Sequence, residues 1–352
     1  MSEFRVDKIT NREGTSGTQI AGISTFSGTS GMQLPSGPTE YRGGRGRGLI
    51  CGGYNYPSGQ LNLIQKIEIS TTGDATDFGD MVSDRYSGGG GGSSVRGIYC
   101  GGRKEANPAP DFLAYTQYII FSSEGGASYF GDLSNVGTGL RATSNNIRGL
   151  SFGAVGAATG TIENIIEYFT IATTGSASPF GDLTQRRYGG GTLSSPTRGI
   201  YAGGVTNVSY GSPSYSKVKT IDYTTFETRG NAVHFGELAV GIRANSGASS
   251  TTRGVFAGGY TPTNVDTIEY ITIATEGNAI DFGDLAMDTS GGTSVSNSVR
   301  GVFGDGNNSP SHTDAMNYVT ISTTGNAVDF GDMLTKVLFS SQNVADSHGG
   351  IG

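Results

Sequence analysis

The chain has 352 residues, of which 35% are hydrophobic and 60 are glycine, with a formal net charge of −7 at pH 7. An excess of acid argues against a nucleic-acid partner, which needs a concentrated basic surface, and no run approaches the roughly 20 apolar residues of a membrane span. Glycine at this level marks a disordered chain only where it lacks a period, and here it is periodic.

The N-terminal stretch MSEFRVDKITNREG is charged and lacks the apolar core of a signal peptide. VDKIT and IAGISTF read as short strands around a turn-rich connector, and LPSGPTEY marks a change of composition. Residues 1–34 are therefore expected to form a separate arm, and residues 35–352 a repeat domain. YRGGRGRG, at Tyr41 to Gly48, looks like an RNA-binding segment, but Arg47 is the first of six periodic arginines and is read as structural.

From there one unit recurs six times. Its Arg-Gly pair starts at Arg47, Arg96, Arg148, Arg198, Arg253 and Arg300, and its Phe-Gly-Asp/Glu element at Phe78, Phe130, Phe180, Phe235, Phe282 and Phe330. The period of 47 to 55 residues, with several short apolar runs in each unit, predicts β-propeller blades, because one such unit cannot bury both faces alone. Four strands are expected per unit. The first is small and polar, as in SGGGGGSS, and suits the crowded axis. The second is β-branched and aromatic and ends at glycines, as in GVFAGG. The third, such as IEYITIA, is the most apolar. The fourth runs through Phe-Gly-Asp, five residues after a hairpin glycine such as Gly277, where a positive φ is expected.

Spacing separates scaffold from loops. Each Phe lies 18 residues before the next Arg, as in 96 − 78 and 300 − 282, whereas the distance from Arg to hairpin glycine ranges from 24 to 32. All length variation thus falls between the second and third strands, and loops that vary on a fixed scaffold are where binding usually resides. These loops carry Tyr54, Tyr56, Arg103, Asp111, Tyr210, Tyr215 and Tyr260, aromatic faces for stacking on sugars beside groups for hydrogen bonding. Lys104 and Phe112 accompany them. Counting 18 from Phe330 reaches His348, the place of a seventh Arg-Gly, so the tail is expected to supply a first, inner strand and the start of a second, the inner strand joining blade 1 to close the ring and leave no open edge. Six blades are expected; the alternative is a seventh blade assembled from this tail and the N-terminal strands.

Reactive sites are not expected. Cys51 and Cys100 share one repeat position, read as holding Gly153, Ala202, Ala257 and Gly304 elsewhere. Adjacent blades hold equivalent positions about 10 Å apart, beyond the ~7 Å reach of a disulfide, so both cysteines should be free and buried. Asp-Phe-Gly at Asp77, Asp281 and Asp329 lacks every other element of a kinase site. Three histidines, His234, His312 and His348, are scattered through the chain, so no metal or cofactor is expected. A glycosidase pair among the scattered acids stays open, since two carboxylates suffice for that chemistry. The repeated acids Asp80, Asp132, Asp182, Glu237, Asp284 and Asp332 are expected to cap turns or pair with the repeat arginines, with calcium sites as the alternative.

The unit R-Y-x-G-G-G-x-x-S-S-x-x-R-G-I-Y-A-G-G, followed by an apolar strand, a turn and an aromatic-x-x-Leu ending, resembles the kelch repeat, with Phe where kelch has Trp. IEYITIATEGNAIDFGDL and STTGNAVDFGDM more closely resemble kelch-like virion proteins of tailed marine bacteriophages, including cyanophages, and the arm resembles the start of structural proteins in such phages. That resemblance implies a six-bladed kelch-like propeller on a virion: a non-enzymatic tail or fibre appendage, joined to other virion proteins by the arm and displaying its loops to a host-surface glycan. A passive decoration or connector protein and a carbohydrate-active enzyme are the alternatives, and homo-oligomerisation stays open.

Overall fold

The computed structural model describes residues 46–56, 58–105, 111–134, 136–156, 160–206, 216–304, 306–308, 312–338, 341–342 and 344–351, together with the backbone of Thr25–Ser27 and Gly31–Gln33. The chain divides into two compact units, Met1–Gly44 and Arg45–Gly352. In the first, Thr25–Ser27 and Gly31–Gln33 form an antiparallel pair with Phe26 opposite Met32. The first of these strands overlaps the end of the expected IAGISTF strand, and VDKIT lies outside the described residues.

The second unit is a six-bladed β-propeller of antiparallel sheets, with no helix among the described residues. Blades 2 to 6 each run outward in chain order from an inner strand. In blade 5 these strands are Ser246–Ser249, Arg253–Ala257, Val265–Thr272 and Ile280–Thr289. Blade 1 takes its second, third and outer strands from Arg47–Asn55, Gly59–Glu68 and Thr76–Asp80, and its inner strand from Val344–Ala345. Gly48 pairs with Ala345 and Leu49 with Val344, so the tail closes the ring and builds no seventh blade.

Convergence on the axis explains the small inner strands. Gly89–Gly92, Gly191–Ser194, Ser246–Ser249 and Thr293–Ser296 are buried throughout, and a Cβ on Gly89 would stand 2.4 Å from the Ala142 nitrogen. Their serines tie blade to blade: Ser194 Oγ donates to the Ser144 carbonyl, Ser249 Oγ to Ser194 and Ser296 Oγ to Ser249, at 2.7–3.1 Å.

Six apolar clusters form the core, one at each seam between neighbouring blades. The repeated Phe sits in each, met edge-on in blades 2 to 6 by the third-strand tyrosine, as for Tyr223 and Phe235 with ring centroids 6.0 Å apart. The following glycine permits contact with the next blade. A Cβ on Gly181 would fall 2.1 Å from the Gly230 carbonyl oxygen, and Gly230, the next hairpin glycine, donates its N–H to the Phe180 carbonyl. The Asp-Phe-Gly strings are thus seam elements.

Two expectations need correction. The repeat arginines do not pair with the repeated acids: Arg96, Arg198 and Arg253 stack on the tyrosine of their own third strand, with 4.4–4.8 Å from guanidinium carbon to ring centroid. Each then donates to carbonyls at the end of the next blade's third strand, as Arg198 does to Ile273 at 2.9 Å. Register explains this. Arg47 lies opposite Glu68 and Asp80 opposite Leu63, roughly 16 Å apart along the third strand. Their backbone N–H groups instead tie blade to blade, that of Asp182 donating to Asn231 Oδ1 of the next hairpin at 3.1 Å, while the Glu237 carboxylate pairs with Lys219 at 2.7 Å. The second correction concerns the cysteines. Both are free and buried, but in blade 3 their position is held by Phe152, opposite Ile166, not by Gly153. Gly153 is the left-handed residue that follows, at φ +49°.

The third strand also carries a buried polar residue that its apolar character does not announce. Gln65, Gln117, Glu167, Asp222 and Glu269 each accept the N–H of a residue just beyond the preceding blade's outer strand, at 2.6–3.1 Å. A buried acceptor with a backbone donor avoids the cost of an unsatisfied polar group.

Candidate functional site: an axial cup

The connection from outer to inner strand and the exit of the second strand meet in every blade. Eight residues after each Phe, a residue bridges to the one seven after the repeat Arg: Tyr86 to Arg103, Tyr188 to Val205, Arg243 to Tyr260, Ser290 to Asn307 and Tyr54 to Leu338, with Thr138 opposite Val155 in blade 3. The next residue turns left-handed, at Ser87, Gly139, Gly189, Ala244 and Gly291, with φ between +56° and +70°. That conformation aims its peptide groups around the ring. Gly139 N–H donates to the Ser87 carbonyl, Gly189 to Gly139, Ala244 to Gly189 and Gly291 to Ala244, at 2.6–3.0 Å.

Above this backbone ring lies a cup of about 480 Å³ to which all six blades contribute. Tyr54, Tyr86, Tyr188 and Tyr260 supply aromatic surface, and Arg103, Arg141 and Arg243 supply charge, against Glu105 as the one carboxylate among the described lining residues. Tyr54 meets Tyr86 edge to face at 5.5 Å. The guanidinium of Arg103 lies 4.8 Å over the Tyr86 ring and that of Arg243 4.9 Å over Tyr260, and such cation–π stacks fix both partners. Glu105 accepts from the Tyr86 hydroxyl and pairs with Arg103 at 2.6 Å. The Tyr86 bond, and then Arg103, hold the Glu105 carboxyl below its usual range, while burial and that same carboxylate push the Tyr86 phenol up. Burial depresses the pKa of Arg141. It also depresses that of Lys217, with repulsion from Arg243 adding to it; the Lys217 ammonium lies 5.1 Å from the Tyr260 ring centroid.

The axis is blocked at its other end. Beyond Ala345 the chain turns across the ends of the inner strands: His348 Nε2 donates to the Gly92 carbonyl at 2.9 Å, and Gly350 N–H donates to His348 Nδ1 at 3.1 Å. Any Cβ at Gly349 or Gly350 would collide with the carbonyls of Ser194, Ser250 or Ser144. Along the axis beside His348 only about 10 Å³ is left, so the cup is blind.

Of the residues expected from sequence to bind, Tyr54, Arg103 and Tyr260 line the cup. Tyr56 is exposed and Asp111 is paired in register with Lys104 in a short hairpin; neither lines it. Tyr210 and Tyr215 lie outside the described residues. Tyr86, Tyr188, Arg141, Arg243 and Glu105 were missed. All but Glu105 sit where the repeat has fixed length, and the signal was residue kind: eight after Phe the chain holds Tyr, Thr, Tyr, Arg, Ser and Leu, a spread that a purely structural position would not show. Among the described residues no three His, Cys, Asp or Glu side chains come together as a metal site. No family model matches this chain, and no curated protein matches it in sequence.

Proposed function

We propose that this chain is a non-enzymatic, sugar-binding propeller of a phage virion, a tail or fibre appendage whose axial cup receives a host-surface glycan. The observation that carries the reading is the blind cup walled by Tyr54, Tyr86, Tyr188 and Tyr260, since tyrosines with adjacent hydrogen-bonding groups stack on sugar faces and orient them. Hydrolysis is disfavoured because a glycosidase needs two carboxyl groups flanking the bond, whereas Glu105 is the one carboxylate among the described lining residues and is engaged by Tyr86 and Arg103. Residues 1–34 would join the propeller to other virion proteins, as the resemblance of the arm suggests. Binding of host-surface oligosaccharides to the purified chain, compared with Tyr188→Ala and Tyr260→Ala, tests the binding role. Saturable binding that both substitutions weaken is expected. A folded chain that binds no host glycan, with its cup covered by another protein in a virion reconstruction, would make it a connector instead.

A further inference from the structure

One residue breaks the rule of the inner strands. At the position held by Gly89, Gly191, Ser246 and Thr293, blade 3 places Arg141, the one charged residue on any described inner strand. It is 6% exposed. Its Nε donates to the Gly190 carbonyl at 2.7 Å and its Nη1 to the Leu140 carbonyl at 3.0 Å, which fixes the guanidinium at the base of the cup. No carboxylate among the described residues forms an ion pair with it. A buried cation without a counter-charge is costly, and a local rule broken at such a cost points to function. Arg243 lines the same cup, and the Glu105 charge is already matched by Arg103.

We infer that the cup selects an acidic saccharide, its carboxylate or sulfate seated against Arg141 and its ring faces against the surrounding tyrosines. The inference rests on the sugar-binding reading and names the chemical class of its ligand. The anion supplies the counter-charge that Arg141 lacks, at a guanidinium buried from solvent, so the contact is strong and its loss severe. The rest of the chain, with 30 acidic against 23 basic residues, disfavours polyanions elsewhere on the surface and confines them to the axis.

The test uses the full chain and calorimetric titration with three probes: short oligogalacturonides, carrageenan oligosaccharides and neutral galactan oligosaccharides. Binding of one or both acidic probes, weakened about thirtyfold or more by Arg141→Gln, is expected, with neutral probes at least tenfold weaker. The two acidic probes distinguish carboxylate from sulfate. Thermal unfolding of Arg141→Gln checks that it folds, and Arg243→Gln, which leaves the inner strand intact, provides a second reading. Equal binding of neutral and acidic probes would overturn the acidic class and leave the sugar reading standing. Acidic binding untouched by both substitutions would overturn the placement at Arg141. If inorganic sulfate raises the unfolding temperature of the wild type but not of Arg141→Gln while no saccharide binds, the anion site stands and the sugar reading falls.

Discussion

Arg187 Nη2 and Asp222 Oδ2 lie 2.7 Å apart where neither side chain reaches solvent. Arg187 also donates to the Gly203 and Thr220 carbonyls, and the Asp222 carboxylate accepts the N–H and hydroxyl of Thr184. The pair thereby binds the third strand of blade 4 to the exit of blade 3. Removing one partner of such a pair strands the other's charge, at about 3–5 kcal/mol. Asp222→Ala should lose stability of that order in urea unfolding, and Arg187→Met combined with Asp222→Asn should lose less than the sum of the two single changes.

Two groups in the closing tail titrate against each other. Burial raises the Asp346 carboxyl from 3.8 to about 6, so in that window the folded state binds more protons than the unfolded, and stability falls as pH rises. Burial lowers His348 from 6.5 to about 4, and protonation would also set two donors, Nδ1–H and Gly350 N–H, against each other. Its contribution is complete above 6.5 and lost as pH falls toward 4. The opposed slopes should leave the wild type nearly flat between pH 4 and 6.5. Asp346→Asn should be more stable at pH 7, on the order of 2 kcal/mol, and decline on acidification, while His348→Asn should gain stability over the same range. Urea titrations at a series of pH values give both slopes.

Seam contacts between backbones cannot relax as side chains do. Gly181→Ala would place a methyl group 2.1 Å from the Gly230 carbonyl oxygen. It should cost about 2–3 kcal/mol and lower the midpoint of chemical unfolding without changing its slope.

Strain in the ring beneath the cup predicts a gain. Ser87 and Ala244 are the two left-handed residues with side chains among the described positions, at φ +57° and +56°. That conformation costs roughly 1–2 kcal/mol, of which glycine's extra chain entropy returns about half. Ser87→Gly and Ala244→Gly should each stabilise the chain by about 0.5–1 kcal/mol, read as a rise in Tm; unchanged or lower Tm in both would remove the strain.

The blades were legible because their signals are strictly periodic. Phe, Gly and Arg recur at fixed offsets, and the same 18-residue step carried past Phe330 to His348 placed a closing inner strand in the tail ahead of it, where Val344–Ala345 pairs with blade 1; His348 itself starts no second strand. The cup was only half legible. Length variation drew attention to the loops after the second strand, which do provide Tyr54, Arg103 and Tyr260, but Tyr86, Tyr188 and Arg243 come from connections of constant length. Arg141 was hidden differently, inside a strand type whose small residues were taken as uniform. Asp222 and its counterparts alternate with core residues on a strand that reads as apolar, and only the register reveals that they face a donor in the neighbouring blade.

The pairing of Gly48 and Leu49 with Ala345 and Val344 imposes an order on biosynthesis. The second strand of blade 1 leaves the ribosome nearly 300 residues before its partner, at the few residues per second of translation, and until then it presents an unpaired edge. Closure is the most non-local pairing among the described residues and is expected late. In a crowded polysome the waiting edge can be met by the tail of a neighbouring chain, so the same two-residue latch that completes one ring can also link two chains by exchange.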